Sequence, residues 1–421
     1  MFQSTELFQK AIGLATPWYI REVKFTAEEK RLDIYVDFIK GTKFSYIETS
    51  ESGEASGGEF PAYDTTQKTW RHLNFFQHEC YLHCRVPRIK LTNGKTRIIN
   101  PPFAGLSNGF TLLFEALLLQ LCKGMTIAEA GRLINESAHK IWEMLDRYIQ
   151  GGRDLSDYAA VKKIGLDETA ITRGHHYITL FVDMEKKTVL FVTEGKDSET
   201  VKRFVADLEN HHGKAINIIQ ASSDLSPAFI KGMTENLPNA QITFDKFHVI
   251  KLINEAVDQV HREEAKTQPI LKKARYAILK NEQNLTEAQK EKREEITLSK
   301  LNLKTIRAMH MRENFQAVYT AETKEGFTGL LRKWYYWATH SKLPAMIHVA
   351  KTIKNHWNGI VSWYDTRINN GVLEGINSLV QAAKAKARGY RTVKNFANIV
   401  YLLKGNLNFS AVNLYYPLNS S

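Results

Sequence analysis

Three acidic residues in this 421-residue chain stand where a carboxylate is costly unless something uses it. Asp167 closes an apolar segment, residues 163–166, that reads as a buried strand, and Glu168 follows it. Asp224 closes a second apolar segment, 214–221, after Ser222 and Ser223. An acid at the end of a core strand is expensive unless it is paired or binds a metal. Glu374 opens a third pattern. Steps of three or four residues from it pick out Asn377, Gln381, Lys384 and Arg388, an unbroken polar stripe on a helix predicted over 372–387. The opposite face carries Leu373, Ile376, Val380, Ala383 and Ala387. A stripe with one carboxylate at its start and cations at its end suits a helix that offers a metal ligand and grips phosphates beyond it. Taken singly, each acid reads as a turn cap or a solvated side chain. Together they point to metal-dependent chemistry on a phosphodiester.

The elements that must position these residues follow from periodicity. Segments 163–166, 175–182 and 188–193 read as three short strands joined by tight turns. A helix over 198–209 has Val201, Phe204, Val205 and Leu208 at helical spacing. The run 214–221 gives a fourth strand, and Ser226 and Pro227 cap and open a helix over 227–236. Three strands, a helix, a strand and a helix form the skeleton of a ribonuclease H-like fold. In that fold the ends of strands one and four lie side by side, so Asp167 and Asp224 would converge. A fifth strand over 241–244 ends at Asp245, the expected cap of a helix over 247–262. His248, on its first turn, reads as a surface residue that also comes within reach of the site.

Around this core the chain divides further. Residues 1–105 read as an α+β module with a short helix over 6–13 and strands over 18–25, 31–38, 70–76 and 80–89. The Gly/Ser/Glu-rich stretch 48–59 reads as a loop. Residues 106–150 turn helical: 111–122 is an apolar helix, and 126–133 with 137–148 fit a helix-turn-helix. In it Ile127, Ala130, Leu133, Ile141 and Leu145 face inward and Ser137, His139, Lys140 and Arg147 face out. Any small helical hairpin gives a similar pattern. Residues 151–157 read as a polar linker into the first catalytic segment, 158–262. A helical insert over 263–366 begins with a Lys/Glu-rich stretch, 263–299, that reads as mobile amphipathic helix. Helices over 305–321, 327–337 and 345–363 complete it. Residues 369–371 read as a turn into the last segment, 367–421, with the Glu374 helix and a basic C-terminal part. The fold class expected is therefore α+β multidomain, a ribonuclease H-like α/β core interrupted by an all-helical insert.

Composition limits the partners. Lys and Arg number 57 against 45 Asp and Glu, a formal net charge of +12, which favours a polyanion such as DNA. Three cysteines argue against a disulfide framework and for a reducing cytoplasm. Neither a leader nor an apolar stretch of membrane-spanning length is apparent, so no membrane partner is expected. Cys80 and Cys84 alternate with Leu82 on one strand face, with His78 and His83 nearby, yet no second pair stands at finger spacing. Zinc is not expected; buried free thiols are the better account.

The segments GLDETA, SSDLSPAFIKG, FDKFHVIKL and NNGVLEGINSLVQAAKAKARGYR resemble the DDE insertion-sequence transposases of the ISL-three group. The likeness extends from PWYIREVKF and TWRHLNFF to YLLKGNLNF near the C-terminus. By motif match it implies that the three catalytic and metal-binding carboxylates are Asp167, Asp224 and Glu374. The resemblance also implies that the helix-turn-helix binds the ends of the element and that the helical insert precedes the final Glu. The chemistry expected is cleavage at those ends and strand transfer into target DNA, with two Mg²⁺ ions, or Mn²⁺ in their place. Lys140, Arg147, Lys384, Arg388 and Arg391 are the expected DNA contacts, and Asp245, His248 and Asn377 the supporting residues. The partners implied are terminal inverted repeats and target DNA, bound by a homo-oligomer in the bacterial cytoplasm, at the nucleoid when on DNA. One departure is plain. Where the family carries a Cys-rich finger, this chain has Tyr46 and Thr49 at the first pair and Leu91 near the second, so the finger reads as degenerate. A catalytically silent DNA-binding regulator and a structure-selective nuclease on the same fold are the alternatives.

Overall fold

A computed structural model describes residues 4–49, 55–107, 109–171, 176–299, 301–366 and 371–409, with backbone alone for 48, 49, 55 and 56. The chain divides into two compact units, 1–156 with 401–421, and 157–400. In the first, α1 (Ser4–Ile12) precedes β1 (Trp18–Thr26), β2 (Arg31–Phe38), β3 (Lys43–Thr49), β4 (Ala55–Phe75), β5 (His78–Lys90) and β6 (Thr96–Ile98). The strand order is β1-β2-β5-β4-β3, with β6 also on β5. Only β2 and β5 run parallel; the other pairs are antiparallel. Leu32, Ile34, Val36 and Phe38 of β2 and Cys80, Leu82, Cys84 and Val86 of β5 are all buried in one core, as alternation requires.

The stretch 48–59, expected as a loop, is instead the end of β3 and the start of β4, paired from Lys43↔Pro61 to Thr49↔Ala55. Residues 50–54 between them lie outside the described residues. Ile47, Gly57, Gly58 and Glu59 are exposed, so this part of the hairpin lacks the apolar alternation that burial imposes on Phe44 and Phe60, and its sequence looks like a loop. Burial pushes the Cys80 and Cys84 thiols up to about 12, which disfavours the thiolates that zinc needs. Where a finger would place cysteines, the Tyr46 hydroxyl accepts from Arg97 Nε at 3.2 Å and Leu91 is buried.

Three helices follow: α2 (Leu112–Gly124), α3 (Ile127–Ile134) and α4 (Ala138–Asp154). Thr126 and Glu129 close a capping box on α3, and Asn135 ends it at φ 56. Leu133, expected inward, is 64% exposed; Ile134 takes the buried position. The expected linker at 151–157 starts later than expected, because α4 runs to Asp154 through two glycines. Gly152 is there for close approach: a Cβ on it would stand 2.9 Å from Leu407 Cβ.

The second unit opens with β7 (Lys163–Ala170), β8 (Tyr177–Asp183) and β9 (Thr188–Glu194), then α5 (Glu199–Asn210), β10 (Gln220–Ser223), α6 (Pro227–Asn236) and β11 (Gln241–Phe244). The sheet order is β11-β10-β7-β8-β9. β7, β8 and β9 are antiparallel, whereas β10 runs parallel to both β7 and β11. Phe181 of β8 stacks on Phe204 of α5 at 4.4 Å, in a core shared with Ile164, Leu166, Phe229 and Met233. The fourth strand is shorter than expected. Residues 215–217 form a 3₁₀ turn, and of the three isoleucines in the run only Ile218 is buried, Ile216 and Ile219 being 57% and 46% exposed. The strand itself is Gln-Ala-Ser-Ser, small enough to lie buried between two neighbours.

Helices then follow: α7 (Lys246–Glu264), α8 (Arg275–Leu279), α9 (Glu287–Thr297), α10 (Lys304–Val318), α11 (Lys324–Thr339), α12 (Pro344–Asn355), α13 (Trp357–Thr366), α14 (Gly371–Lys386) and α15 (Val393–Lys404). From Phe244 to Ile360 they share one apolar core around the fully buried Trp334. The stretch 263–299, expected as mobile helix, is instead held by α8 and α9 and by specific bonds. Arg275 pairs with Asp258 at 2.7 Å, and Arg293 and the buried Arg312 donate to carbonyls at the end of α8. The single helix expected over 345–363 is broken at His356, between α12 and α13. Part of the turn expected before α14, Asn369 and Asn370, lies outside the described residues.

One buried acid ties the helices of the first unit together. Glu115 of α2 is fully buried and accepts from the Leu106 and Ser107 amides at 2.9 and 2.8 Å, from the Ser107 hydroxyl, and from Tyr148 Oη of α4 at 2.7 Å. Gly105 must lack a Cβ, since one would fall 2.3 Å from the Glu115 carboxyl carbon. Glu115→Ala would strand four donors, at a cost of about 3–5 kcal/mol. Urea denaturation should show that loss in the first unit, with Glu115→Gln costing less.

Candidate active site

β7 carries Asp167, although not at its end as the sequence suggested. Antiparallel pairing with β8 continues to Ala170, whereas pairing with β10 stops at Gly165. Asp167 thus stands just where the β10-facing edge of β7 becomes free. The register decides what stands beside it. Ser222 pairs with Gly165 and Ser223 with Phe244, so continuing each strand sets Asp224 level with Asp167 on one side and with Asp245 on the other. The register therefore puts three aspartates at matching positions just past the last residues paired between β7, β10 and β11.

α14 supplies the other wall. Leu373, Ile376 and Val380 are buried, as their spacing predicts, and Leu373 packs onto Gly165, where a Cβ would meet its Cδ1 at 2.9 Å. That contact brings the polar stripe against β7. Asn377 Nδ2 donates to Asp167 Oδ2 at 2.5 Å, Gln381 Nε2 to Thr169 Oγ1 at 2.9 Å, and Lys384 Nζ to the Ala170 carbonyl at 2.6 Å. The stripe is half-buried against the strand, not a free cationic face. Glu374 stays exposed, one turn before Asn377. With the amide set to donate to Asp167, Asn377 Oδ1 is buried and has no partner among the described residues.

Asp167 and Glu374 line one cleft of about 410 Å³ with Asn377, Gln381, His248 and Lys251. His248 is therefore part of the site, not merely a surface residue. Asp245 caps α7 by accepting from the Phe247 amide at 3.1 Å, and its second oxygen bonds His248 Nδ1 at 2.9 Å. Sequence reading missed Lys251; its signal was one helical turn from His248. Asp224 and Asp245 are not among the residues that line this cleft, and among the described residues no three His, Cys, Asp or Glu side chains come close enough to hold an ion between them.

Electrostatics marks Asp167 as the strained group. Burial pushes its carboxyl up to about 6; His248 opposes that rise and the neighbouring Asp224 and Asp245 add to it. His248 is raised, first by its bond to Asp245 and then by the charges of Asp167 and Asp224. Of the expected DNA contacts, Arg388 and Arg391 are exposed, Lys140 is exposed and bonded to Glu136, and exposed Arg147 donates to the Leu106 carbonyl.

A family described as Transposase matches residues 164–400, which span β7 to α15 and the whole cleft. The chain belongs to the ISL3 family of DDE transposases. The helix-turn-helix domain of transposase family ISL3 matches residues 100–149, which hold α2, α3 and most of α4. The transposase is 26% identical over 360 residues to the transposase for insertion sequence element IS1557 of Mycobacterium tuberculosis, across 77% of this chain and 79% of the relative. It is 25% identical over 345 residues to the transposase for insertion sequence element IS1001 of Bordetella parapertussis, across 79% and 84%. Enzymes of this family process DNA and generally use divalent metal ions. Among the described residues no helix is long and apolar enough to cross a membrane.

The Asp167 shift makes a signed prediction for this transposase. A carboxyl with a raised folded-state pKa stabilises the fold below about pH 4 and loses that contribution as pH rises through about 6. In EDTA at pH 7.5, Asp167→Asn should therefore be more stable than wild type by roughly 1–2 kcal/mol. That is less than the ~1.36 kcal/mol per pKa unit in full, because the group keeps partial contact with solvent. The gap should close at pH 4, as paired denaturation curves would show.

Proposed function

We propose that the transposase cleaves the ends of its insertion sequence and joins them to target DNA at one metal-dependent centre built from Asp167, Asp224 and Glu374. The reading rests on one observation: α14 crosses β7 so that Glu374 shares a cleft with Asp167, and Asn377 bonds a carboxylate 210 positions earlier in the chain. A five-stranded sheet with three antiparallel strands, then two parallel ones, followed by helices before α14, supports a ribonuclease H-like core with a helical insert over 263–366.

The donors around the cleft suit Mg²⁺, or Mn²⁺: they are hard oxygens, Asp167 is under-neutralised, and Asn377 Oδ1 is buried without a partner. When bound, a metal pair lowers the pKa of an attacking water or aligns a 3′-hydroxyl and stabilises the leaving oxygen. The chain's own residues prepare that chemistry. Asp167 has one oxygen on the Glu168 amide at 2.8 Å and the other on Asn377, which fixes the direction it presents. Asp245 holds His248, whose protonated form Asp245, Asp167 and Asp224 favour. Lys251 lines the cleft as a cation for the scissile phosphate, and the exposed Arg388 and Arg391 extend that grip. Lys140 and Arg147 of α4 contact terminal-repeat DNA through the helix-turn-helix, and a homo-oligomer assembles there.

Two substitutions test this. Glu374→Gln keeps size and an exposed position but replaces a charged ligand with an amide. It should bind terminal-repeat DNA as wild type does, yet neither nick nor join it in Mg²⁺; cleavage at near wild-type rate would remove Glu374 from the centre. Gly165→Ala tests positioning, because its Cβ would displace Leu373 and Met184. It should cost about 1–3 kcal/mol in stability and lower cleavage further than that loss explains. Adding Leu373→Ala, which clears the space, should return part of the rate in a double-mutant cycle.

A further inference from the structure

From Phe327 to Tyr364, 38 residues, there is no Asp or Glu, where the chain-wide frequency would place about four. The run holds Arg332, Lys333, Lys342, Lys351 and Lys354, three histidines and eight aromatic residues. All five cations are exposed, and no ion pair with any described carboxylate involves them. Such a surface fits a polyanion.

It also holds a cavity. Between edge strand β11 and the break from α12 to α13 lies a space of about 560 Å³, within the roughly 300–1,000 Å³ of small-molecule sites. Ile230, Ile242 and Phe244 give it apolar walls; His356 and Trp357 add flat rings. Gln241, Asn355 and Asn358 contribute exposed amides that both donate and accept. Lys354 Nζ lies 5.1 Å from the Trp357 ring centroid and 6.0 Å from that of Tyr335. Apolar walls, flat rings, amides and an unpaired ammonium are what a planar heterocycle attached to a phosphate requires.

We propose that this cavity seats one unpaired base of a DNA strand, stacked against Trp357 and hydrogen-bonded by the amides, with its phosphate on Lys354. The proposal stands apart from the carboxylate centre: it names no residue of that cleft, and its test needs no metal and no turnover. An amphipathic peptide would want the apolar walls but not the uncompensated cations, so a nucleotide is the occupant the charge selects.

The test uses the full chain in EDTA with an oligothymidylate carrying a single 2-aminopurine, a blunt duplex of equal length, and fluorescence. Wild type should bind the single strand more tightly than the duplex and quench the probe by stacking. Lys354→Ala should weaken single-strand binding about three- to tenfold and lower its salt slope by about 0.7, while Lys272→Ala, an exposed cation outside the surface, changes neither. Trp357→Leu should abolish quenching and weaken binding roughly tenfold or more, and Trp357→Phe should keep most of both. If Trp357→Leu does not fold, the exposed Asn358→Ala reads the same loss. Unchanged quenching in Trp357→Leu or Asn358→Ala overturns the base seat. So does an equal loss of duplex and single-strand affinity in Lys354→Ala, which would describe a phosphate surface alone.

Discussion

Burying a carboxylate is costly unless something compensates it, and the cleft of the second unit is built around a buried one, Asp167, with two further aspartates nearby. β7, β10 and β11 bring Asp167, Asp224 and Asp245 to one level. The structure answers in part: Asp245 is turned to cap α7 and to hold His248, and Asn377 reaches Asp167 from α14. What is left unanswered sits on Asp167, whose carboxyl burial and its neighbours keep near 6. A cleft that is short of positive charge in the free protein is one that gains by taking up cations.

The strand row would be inert without the helix that faces it. α14 docks because Gly165 has no side chain, which lets Leu373 descend onto β7 and brings Glu374 and Asn377 over Asp167. The same hydrophobic stripe that buries Leu373, Ile376 and Val380 therefore sets the angle of the polar one. β11 has a comparable joint at Gly359 of α13, where a Cβ would fall 2.3 Å from Phe244. Thr243 and Ser362, both buried, bond across it at 2.9 Å. The helices after β11 are thus tied to the sheet edge through glycine-to-phenylalanine packing, and the cavity beside Trp357 lies at that joint.

In the first unit the organising groups are buried and structural. Cys80 and Cys84 fill the core as small apolar side chains, and Tyr46 with Arg97 makes a hydrogen bond where a finger would place a metal ligand. Glu115 joins the loop before α2 to α4 through four acceptor contacts. The helix-turn-helix is therefore held by hydrogen bonds within its own helices, and Ser137, His139, Lys140 and Arg147 remain exposed along α4.

The sequence by itself determined the elements with strong periodicity: β2, α6 and β11 have the expected bounds, and α14 buries the expected face. It singled out Asp167 and Asp224 because an acid beside an apolar run is a local anomaly that needs no partner to be noticed, and Glu374 because it heads a polar stripe at helical spacing. It failed where local pattern and burial part company. The 3₁₀ turn at 215–217 has isoleucines nearby yet Ile216 and Ile219 are exposed, and the β3–β4 hairpin is exposed at Ile47, Gly57, Gly58 and Glu59. Only the tertiary structure decided that Asp245 stands level with the other two aspartates, since register is a relation between strands. It alone showed that Lys384 is engaged by Ala170, and that Lys354 and Trp357 border one cavity. Periodicity tells which face of an element is buried; which neighbour that face meets is fixed by packing between segments far apart in the chain.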